Sequence, residues 1–597
     1  MNERRIILVA AWSLALSGAG CGTTVLQLEL PPEDGESQGD DSGGLETSGG
    51  EEPWGTDGSS DSGDDGDTGG EPGALGCDEL DAVAVAVLED TCSGCHSGDA
   101  ASGDFGYVTD VDRMVQTGKI VPGDPGASPL MARIEGGQMP PPEIDVRPSD
   151  AEIENLGRWI SECVAEDFCE HEAFISLGEM LETMRADISN TAEIASSERR
   201  FYRYFTLTHI YNTGVCSQDL DRYRWALSKT LNSLSTQTKV VPPTPIDEAE
   251  TIYRIDLRDY GWDAPLWESI VSQNPFAVEF VRDEATDLKA FTETAVPFMM
   301  ADWLVADATR PPLYHEILGI PANRAQLEQE FGIDILADID EDEVERSGFL
   351  DSGVSVNNRL IERHEFPGAS NRTYWLSYDF ASNGGTGNLF AFPLEFQAAG
   401  NEVIFSLPNG LHAYMITDAL GNRIDEAPDD IVTDPAQPDR NVVNGLSCMG
   451  CHAHGIIPRE DELRDHVAES FGFDDAIKEK VANLHPTAED FAASQVLDSD
   501  RFLDAVAETG SPTDLEWEPV NTVFTEFDGE IDLRRAAAEL GITQSELTSQ
   551  LGGLGADLQS LLGGSVKREV FTLNFAQSIC ALNIGKTAAC GGPGALP

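Results

Sequence analysis

The chain has 597 residues, 41% of them apolar, which supports folded material and is too long for a single hydrophobic core; about three or four domains of ordinary size are expected. Its 106 acidic and 37 basic residues leave a formal charge of −69, which repels nucleic acid and anionic membrane surfaces. No nucleic-acid partner is expected, and a negative surface of this kind steers cationic redox partners or simply keeps the protein in solution.

Residues 1–21 read as an export signal: Arg4 and Arg5, then the apolar run Ile6 to Leu16, then small residues up to Cys21. The order Gly18-Ala19-Gly20-Cys21 resembles a bacterial lipoprotein cleavage site, with Gly18 where that family usually has Leu. The resemblance implies lipidation of Cys21 and an exported, outer-membrane-anchored protein facing the periplasm or cell surface. No second apolar run reaches the ~18 residues of a membrane span, so the expected membrane contact is the lipid alone. Residues 22–75 are dominated by Gly, Ser, Asp and Glu, and Pro31 to Leu75 has no Lys or Arg. Such a segment buries too little apolar surface to offset its chain entropy and reads as a disordered, self-repelling tether.

Residues 76–170 read as one small helical domain. Asp78 to Asp90 has helical apolar spacing and runs into Cys92/Cys95/His96; Ser149 and Glu152 form a capping-box pattern before a second helix with Ile153, Leu156, Ile160 and Val164 on one face. Residues 171–435 read as an α+β domain. Helical periodicity is expected around Arg200 to Ser233 and Pro297 to Ala306, a strand over Thr373 to Phe380, and a hairpin in Glu402 to Asp418 turning at Pro408-Asn409-Gly410. The Gly-rich run Asn383 to Asn388 lacks the Lys and helix start of a phosphate loop and reads as a plain loop. Residues 436–597 open with Cys448/Cys451/His452 and read as mainly helical, with faces in Asp532 to Leu540 and Thr543 to Leu551.

Two thiols three positions apart with His directly after them are what covalent haem attachment requires: each sulfur forms a thioether and the imidazole coordinates iron. A zinc ribbon wants its second Cys pair ~15–20 residues away, and a thioredoxin-type dithiol does not need the His. Two c-type haems are therefore expected, held by Cys92 and Cys95 with His96, and by Cys448 and Cys451 with His452. Met139, in Gly136-Gly137-Gln138-Met139-Pro140-Pro141-Pro142, is the candidate second ligand of the first iron, on a loop stiffened by prolines. No Met follows His452 in the chain. The second iron therefore takes its sixth ligand from His209, His315, His364, His412, His466, His485, Met299, Met300 or Met415, or keeps an open position; His454 is too close to His452 to reach the opposite face. Six cysteines remain, Cys77, Cys163, Cys169, Cys216, Cys580 and Cys590; fifteen pairings are possible, with Cys77–Cys163 and Cys580–Cys590 as candidates.

Residues 77–164 resemble a class I cytochrome c domain, matched at Cys92, Cys95, His96, Met139 and Trp159. The resemblance implies a small all-α fold with haem in a crevice and one exposed edge for electron exchange. The rest resembles a bacterial family of dihaem cytochrome c domain-containing lipoproteins through RDYGW (Arg258 to Trp262), PPLYH (Pro311 to His315), SLPNGL (Ser406 to Leu411) and NGLSCMGCH (Asn444 to His452), strings that imply no activity of their own. The expected function is electron transfer to a redox protein partner; the alternative is a peroxidase-like dihaem enzyme whose second haem is reactive.

Overall fold

In the computed structural model, the described residues are 77–96, 105–116, 119–121, 125–126, 128–141, 144, 146–164, 174–216, 219–350, 357–427, 441–515 and 517–590. The export signal, Cys21 and the tether lie outside them.

The first folded part is helical. Leu80, Ala84, Val87 and Leu88 recur at helical spacing on the Cys77–Thr91 helix and face Leu156, Trp159 and Ile160 of the Asp150–Glu162 helix, all in one core. The second helix starts where Ser149 caps it: the Ser149 hydroxyl accepts from the Glu152 N–H, and the Glu152 carboxylate accepts from the Ser149 N–H at 2.6 Å. A Cys77–Cys163 disulfide joins the outer ends of the pair, and the Trp159 indole N–H donates to the Asp81 carboxylate.

The strands β1 (Tyr202–Thr206), β2 (Thr244–Pro245), β3 (Ile252–Asp256) and β4 (Phe298–Met300) form a sheet in the order β2-β3-β1-β4. This corrects two helical expectations. Residues 202–206 are aromatic and β-branched rather than helically amphipathic, and they pair antiparallel with β3 and parallel with β4; helices begin only at Thr208, Leu220 and Ala301.

A larger antiparallel meander follows, β5 (Glu345–Phe349), β6 (Arg359–Phe366), β7 (Ala369–Asp379), β8 (Gly400–Ser406), β9 (His412–Asp418) and β10 (Arg423–Ile424), each strand beside its chain neighbour. The β8–β9 hairpin turns at Pro408-Asn409-Gly410, with Gly410 at φ +96°. The 383–388 run holds only a short 3-10 turn, Gly385–Gly387. Register places Arg359, Asp379, Ser377, Glu402 and Ile416 on one face, because directly paired residues of adjacent antiparallel strands share a face. A short pair, β11 (Glu426–Ala427) with β12 (Val442–Val443), then delivers the chain to the Leu446–Cys451 helix.

The boundary expected at 435/436 does not separate two cores. One continuous apolar cluster runs from Phe205 through Trp303, Tyr374 and Val403 to Cys448, Phe524 and Ile579. Both faces of the meander carry residues of this cluster, Ile404 and Ile416 on one and Val403 and Met415 on the other, and helices beyond 446 contribute to the same cluster. Among the described residues no helix is long and apolar enough to cross a membrane.

Candidate haem sites

At the first site the Cys77–Thr91 helix runs on into another turn. Cys92 N–H donates to Leu88 C=O at 3.0 Å and His96 N–H to Cys92 C=O at 3.0 Å, so Cys92, Cys95 and His96 share one short helical segment. His96 Nδ1 lies 3.1 Å from the Phe105 C=O. A carbonyl only accepts, so Nδ1 carries the proton and Nε2 keeps its lone pair for a metal.

Met139 is placed by a separate turn of the same small unit. Leu130, Met131 and Ile134 of the Pro129–Glu135 helix enter the core that holds Leu88 and Trp159. The chain then reverses through Gly136 and Gly137, the latter at φ +66°, and Gln138 N–H and Met139 N–H both donate to Arg133 C=O, at 2.9 and 3.0 Å. Arg147 pins the next residue through the Pro140 C=O. The thioether is thus carried on a hydrogen-bonded turn. Met139→Ala is expected to lower one haem's reduction potential by on the order of 100 mV, since a thioether raises the potential of a His-ligated haem. An unchanged potential would reduce Met139 to packing.

The second motif sits on the Leu446–Cys451 helix, which begins after Gly445 at φ +87°. His452 repeats the arrangement of His96: Nδ1 is 3.0 Å from the Gly455 C=O, so Nδ1 carries the proton and Nε2 keeps its lone pair. The Tyr414 ring lies nearly parallel to the imidazole with centroids 6.1 Å apart. Nε2 faces the meander, with Glu402 Oε1 at 3.7 Å.

Between that helix and the sheet lies a cavity of about 480 Å³, bounded by Cys448, Cys451 and His452 on one side and by Arg359, Trp375, Asp379 and Glu402 on the other. Its volume falls in the range of cofactor sites, and most of its wall is apolar, with Ile361, Ile404, Ile416 and Ile456 contributing. Arg359 pairs with Asp379 and stands 3.8 Å from Glu402. Burial raises the Asp379 carboxyl above its ordinary pKa against the pull of Arg359.

The sulfurs divide by role. Cys77, Cys163, Cys216, Cys580 and Cys590 are all disulfide-bonded, and the Cys580–Cys590 bond closes the terminal loop, whereas Cys92, Cys95, Cys448 and Cys451 are not in disulfides. Two cysteines outside any disulfide and an adjacent imidazole, all lining one largely apolar cavity, fit a covalently held haem at the second site.

None of the expected sixth ligands lines this cavity. His209 pairs with Asp302 at 2.8 Å, His364 with Asp338 at 2.6 Å, His485 with Asp461 at 2.9 Å, and His466 meets the Phe390 C=O at 3.0 Å. Met415 alternates to the other face of the sheet from Glu402 and Ile416, and Met299 and Met300 are in the main core around β4. His412 shares the face of Glu402 but stacks on Phe502, centroids 4.4 Å apart; burial and the neighbouring His452 and Lys229 push its pKa down to about 3.

Two strings legible in the sequence meet here. The Asn444 side-chain amide donates to His315 Nε2 at 2.7 Å, and Gly445 packs against the Tyr314 ring, whose hydroxyl accepts from the Tyr414 N–H at 2.8 Å. PPLYH is therefore the seat on which NGLSCMGCH rests. SLPNGL provides the β8–β9 turn, with the Asn409 amide donating to the Asn232 C=O at 2.8 Å, and RDYGW places Tyr260 and Trp262 in the main core. Burial, helped by Arg423, lowers His315 from the ordinary 6.5 to about 4. Its unfolded-state pKa is the higher one, so the unfolded chain binds the extra proton first and stability falls as pH drops from about 6.5 toward 4. The expected loss is on the order of 3 kcal/mol. Denaturant unfolding at pH 7 and pH 4.5 checks it: the difference should shrink in His315→Gln, which keeps an acceptor for Asn444 but does not titrate.

Residues 92–143 match the family described as Planctomycete cytochrome C. The match spans Cys92, Cys95, His96 and Met139. It supports a cytochrome c-like domain there, with covalently bound haem and haem-based electron transfer. The second site lies outside the matched stretch. No curated protein and no solved structure matches the chain.

Proposed function

We propose that the chain is an exported dihaem c-type cytochrome that transfers electrons, anchored at the outer membrane through lipidated Cys21 and held off it by the acidic tether. The observation that carries the second haem is the cavity of about 480 Å³ lined by Cys448, Cys451 and His452 together. Haem, when bound, supplies the one-electron iron couple. The chain's residues do the rest. Phe105 and Gly455 carbonyls hold His96 and His452 in the tautomer that binds metal. Met139 would be the second protein ligand to a haem held at the first site and would raise its potential, and the apolar walls of the cavity would exclude water from a haem at the second. The acidic balance of the chain suits a cationic redox protein partner.

The test is the haem content of full-length protein produced in a host that matures c-type cytochromes. Pyridine haemochrome spectra against protein concentration are expected to give two haems per chain, and peptide mass mapping to place them on Cys92/Cys95 and Cys448/Cys451. A single haem on the first motif would overturn the dihaem reading. Cys21→Ser is expected to release the protein from the membrane fraction without altering the haem count.

A further inference from the structure

Electron carriers that only relay charge close both faces of the iron with protein ligands, usually His or Met. The second site does not offer that pair. Among the described residues lining its cavity His452 is the one His, and there is no Met and no Lys. Every other His or Met considered above is bonded elsewhere, stacked outside the cavity, or on another face or sheet. What stands across from His452 is instead a polar group built into an apolar wall: Arg359, Asp379 and Glu402, from β6, β7 and β8, adjacent by register.

Burying three charged side chains beside a cofactor cavity is costly unless they pair or serve a ligand. They pair only in part. Arg359 is shared between Asp379 and Glu402, and its Nε–H is buried without an acceptor. The group therefore offers one unused donor and carboxylate oxygens as acceptors, with one more negative than positive charge, and the other charged residues lining the cavity, Asp418, Glu426 and Arg459, keep the balance negative. Such a set suits a small neutral molecule that has both an O–H and a lone pair, and it opposes a small anion.

We propose that the sheet-facing side of the second haem is an exogenous ligand site for a small neutral protic molecule of the hydroperoxide or water class, with Glu402 and Asp379 as acceptors and Arg359 as donor. The proposal rests on the reading of Cys448, Cys451 and His452 as a haem attachment, and it assigns the site a substrate class that a pure electron relay does not need. A first haem held by His96 with Met139 as its other protein ligand would then serve as the electron port, and Arg359, Asp379 and Glu402 would bind and orient the small molecule at the second.

The test uses full-length holoprotein with a measured haem content and two probes, cyanide and azide. At neutral pH cyanide is present as neutral HCN; it binds ferric iron through carbon, its proton leaves to solvent, and the iron's oxidation state does not change. Azide is an anion in the same buffer. The expected result is a high-spin electron paramagnetic resonance signal from one of the two ferric haems and a cyanide-induced optical change accounting for that haem alone. Glu402→Gln is expected to raise azide affinity by about tenfold through relief of like-charge repulsion. Asp379→Asn should act in the same direction and covers the case in which the first variant folds poorly. Two low-spin haems indifferent to cyanide would overturn the proposal, and so would a high-spin haem whose azide affinity neither variant changes. If the haem content is one per chain, the dihaem reading itself has failed, which the haemochrome measurement distinguishes from failure of the ligand site.

Discussion

Replacing Gly445 by Ala is expected to lower the stability of the large folded part by about 3 kcal/mol or more and to disturb the proposed second haem site while sparing the first. Gly445 precedes the helix that carries Cys448 and Cys451, at φ +87° and ψ −72°, a conformation hostile to an L side chain. A Cβ there would lie 2.4 Å from the Thr309 C=O and 3.1 Å from the Tyr314 ring. Neither neighbour yields cheaply. The carbonyl is backbone at the end of the Ala301–Ala308 helix, and Tyr314 is fully buried with its hydroxyl holding the Tyr414 N–H. The Leu446–Cys451 helix has to move instead, and the Asn444–His315 hydrogen bond and the Tyr414–His452 stacking go with it. Denaturant unfolding measures the stability loss. If the second site holds haem as proposed, redox titration should show its potential falling as water reaches it, with that of the first site unchanged. Wild-type stability and two unaltered potentials would show that the seat formed by PPLYH does not govern the second site.

What the sequence made legible follows the range of the physics involved. Signals closed within a few residues could be read directly: the Ser149–Glu152 box, the Pro408-Asn409-Gly410 turn, and the helical faces over Asp532 to Leu540 and Thr543 to Leu551, where the Leu533–Glu539 and Gln544–Gln550 helices lie. The two Cys-x-x-Cys-His strings belong to the same class, because thioether and imidazole attachment is a local geometric demand. β1 was hidden because its partners lie about 50 residues downstream on β3 and nearly 100 on β4, and a five-residue aromatic run does not announce its pairing. The wall of the second site was hidden for a stronger reason. Arg359, Asp379 and Glu402 meet only once three strands are in register, and slipping any strand by one residue would send its side chain to the opposite face. PPLYH and NGLSCMGCH were visible as strings, but their contact spans 129 residues and rests on one Asn–His hydrogen bond and one glycine that must have no side chain.

The large folded part is also stapled by buried charge, and removing one member should be among the most damaging single changes in the chain. Glu539 has no exposed side-chain surface and accepts from Arg535 Nε at 2.6 Å and from Arg568 through both carboxylate oxygens at 2.7 and 2.9 Å. Arg535 continues to Asp302, which also pairs with His209. Burial opposes the charge on Glu539, yet Arg568 and Arg535 outweigh it and hold its carboxyl below the ordinary pKa. Glu539→Leu would leave two buried guanidinium groups with one carboxylate between them, at an expected cost of about 3–5 kcal/mol in denaturant unfolding. Glu539→Leu combined with Arg568→Leu should recover much of that loss, because the penalty comes from the unpaired charge more than from the missing pair. If the double variant is as unstable as the sum of the two singles, the two side chains act independently and the network is not the staple. Its span carries the wider consequence. His209 and Asp302 precede residue 435 while Arg535, Glu539 and Arg568 follow it, so a chain cut at 435 exposes both half of a shared apolar core and half of an ion network, and is expected not to fold as an independent domain.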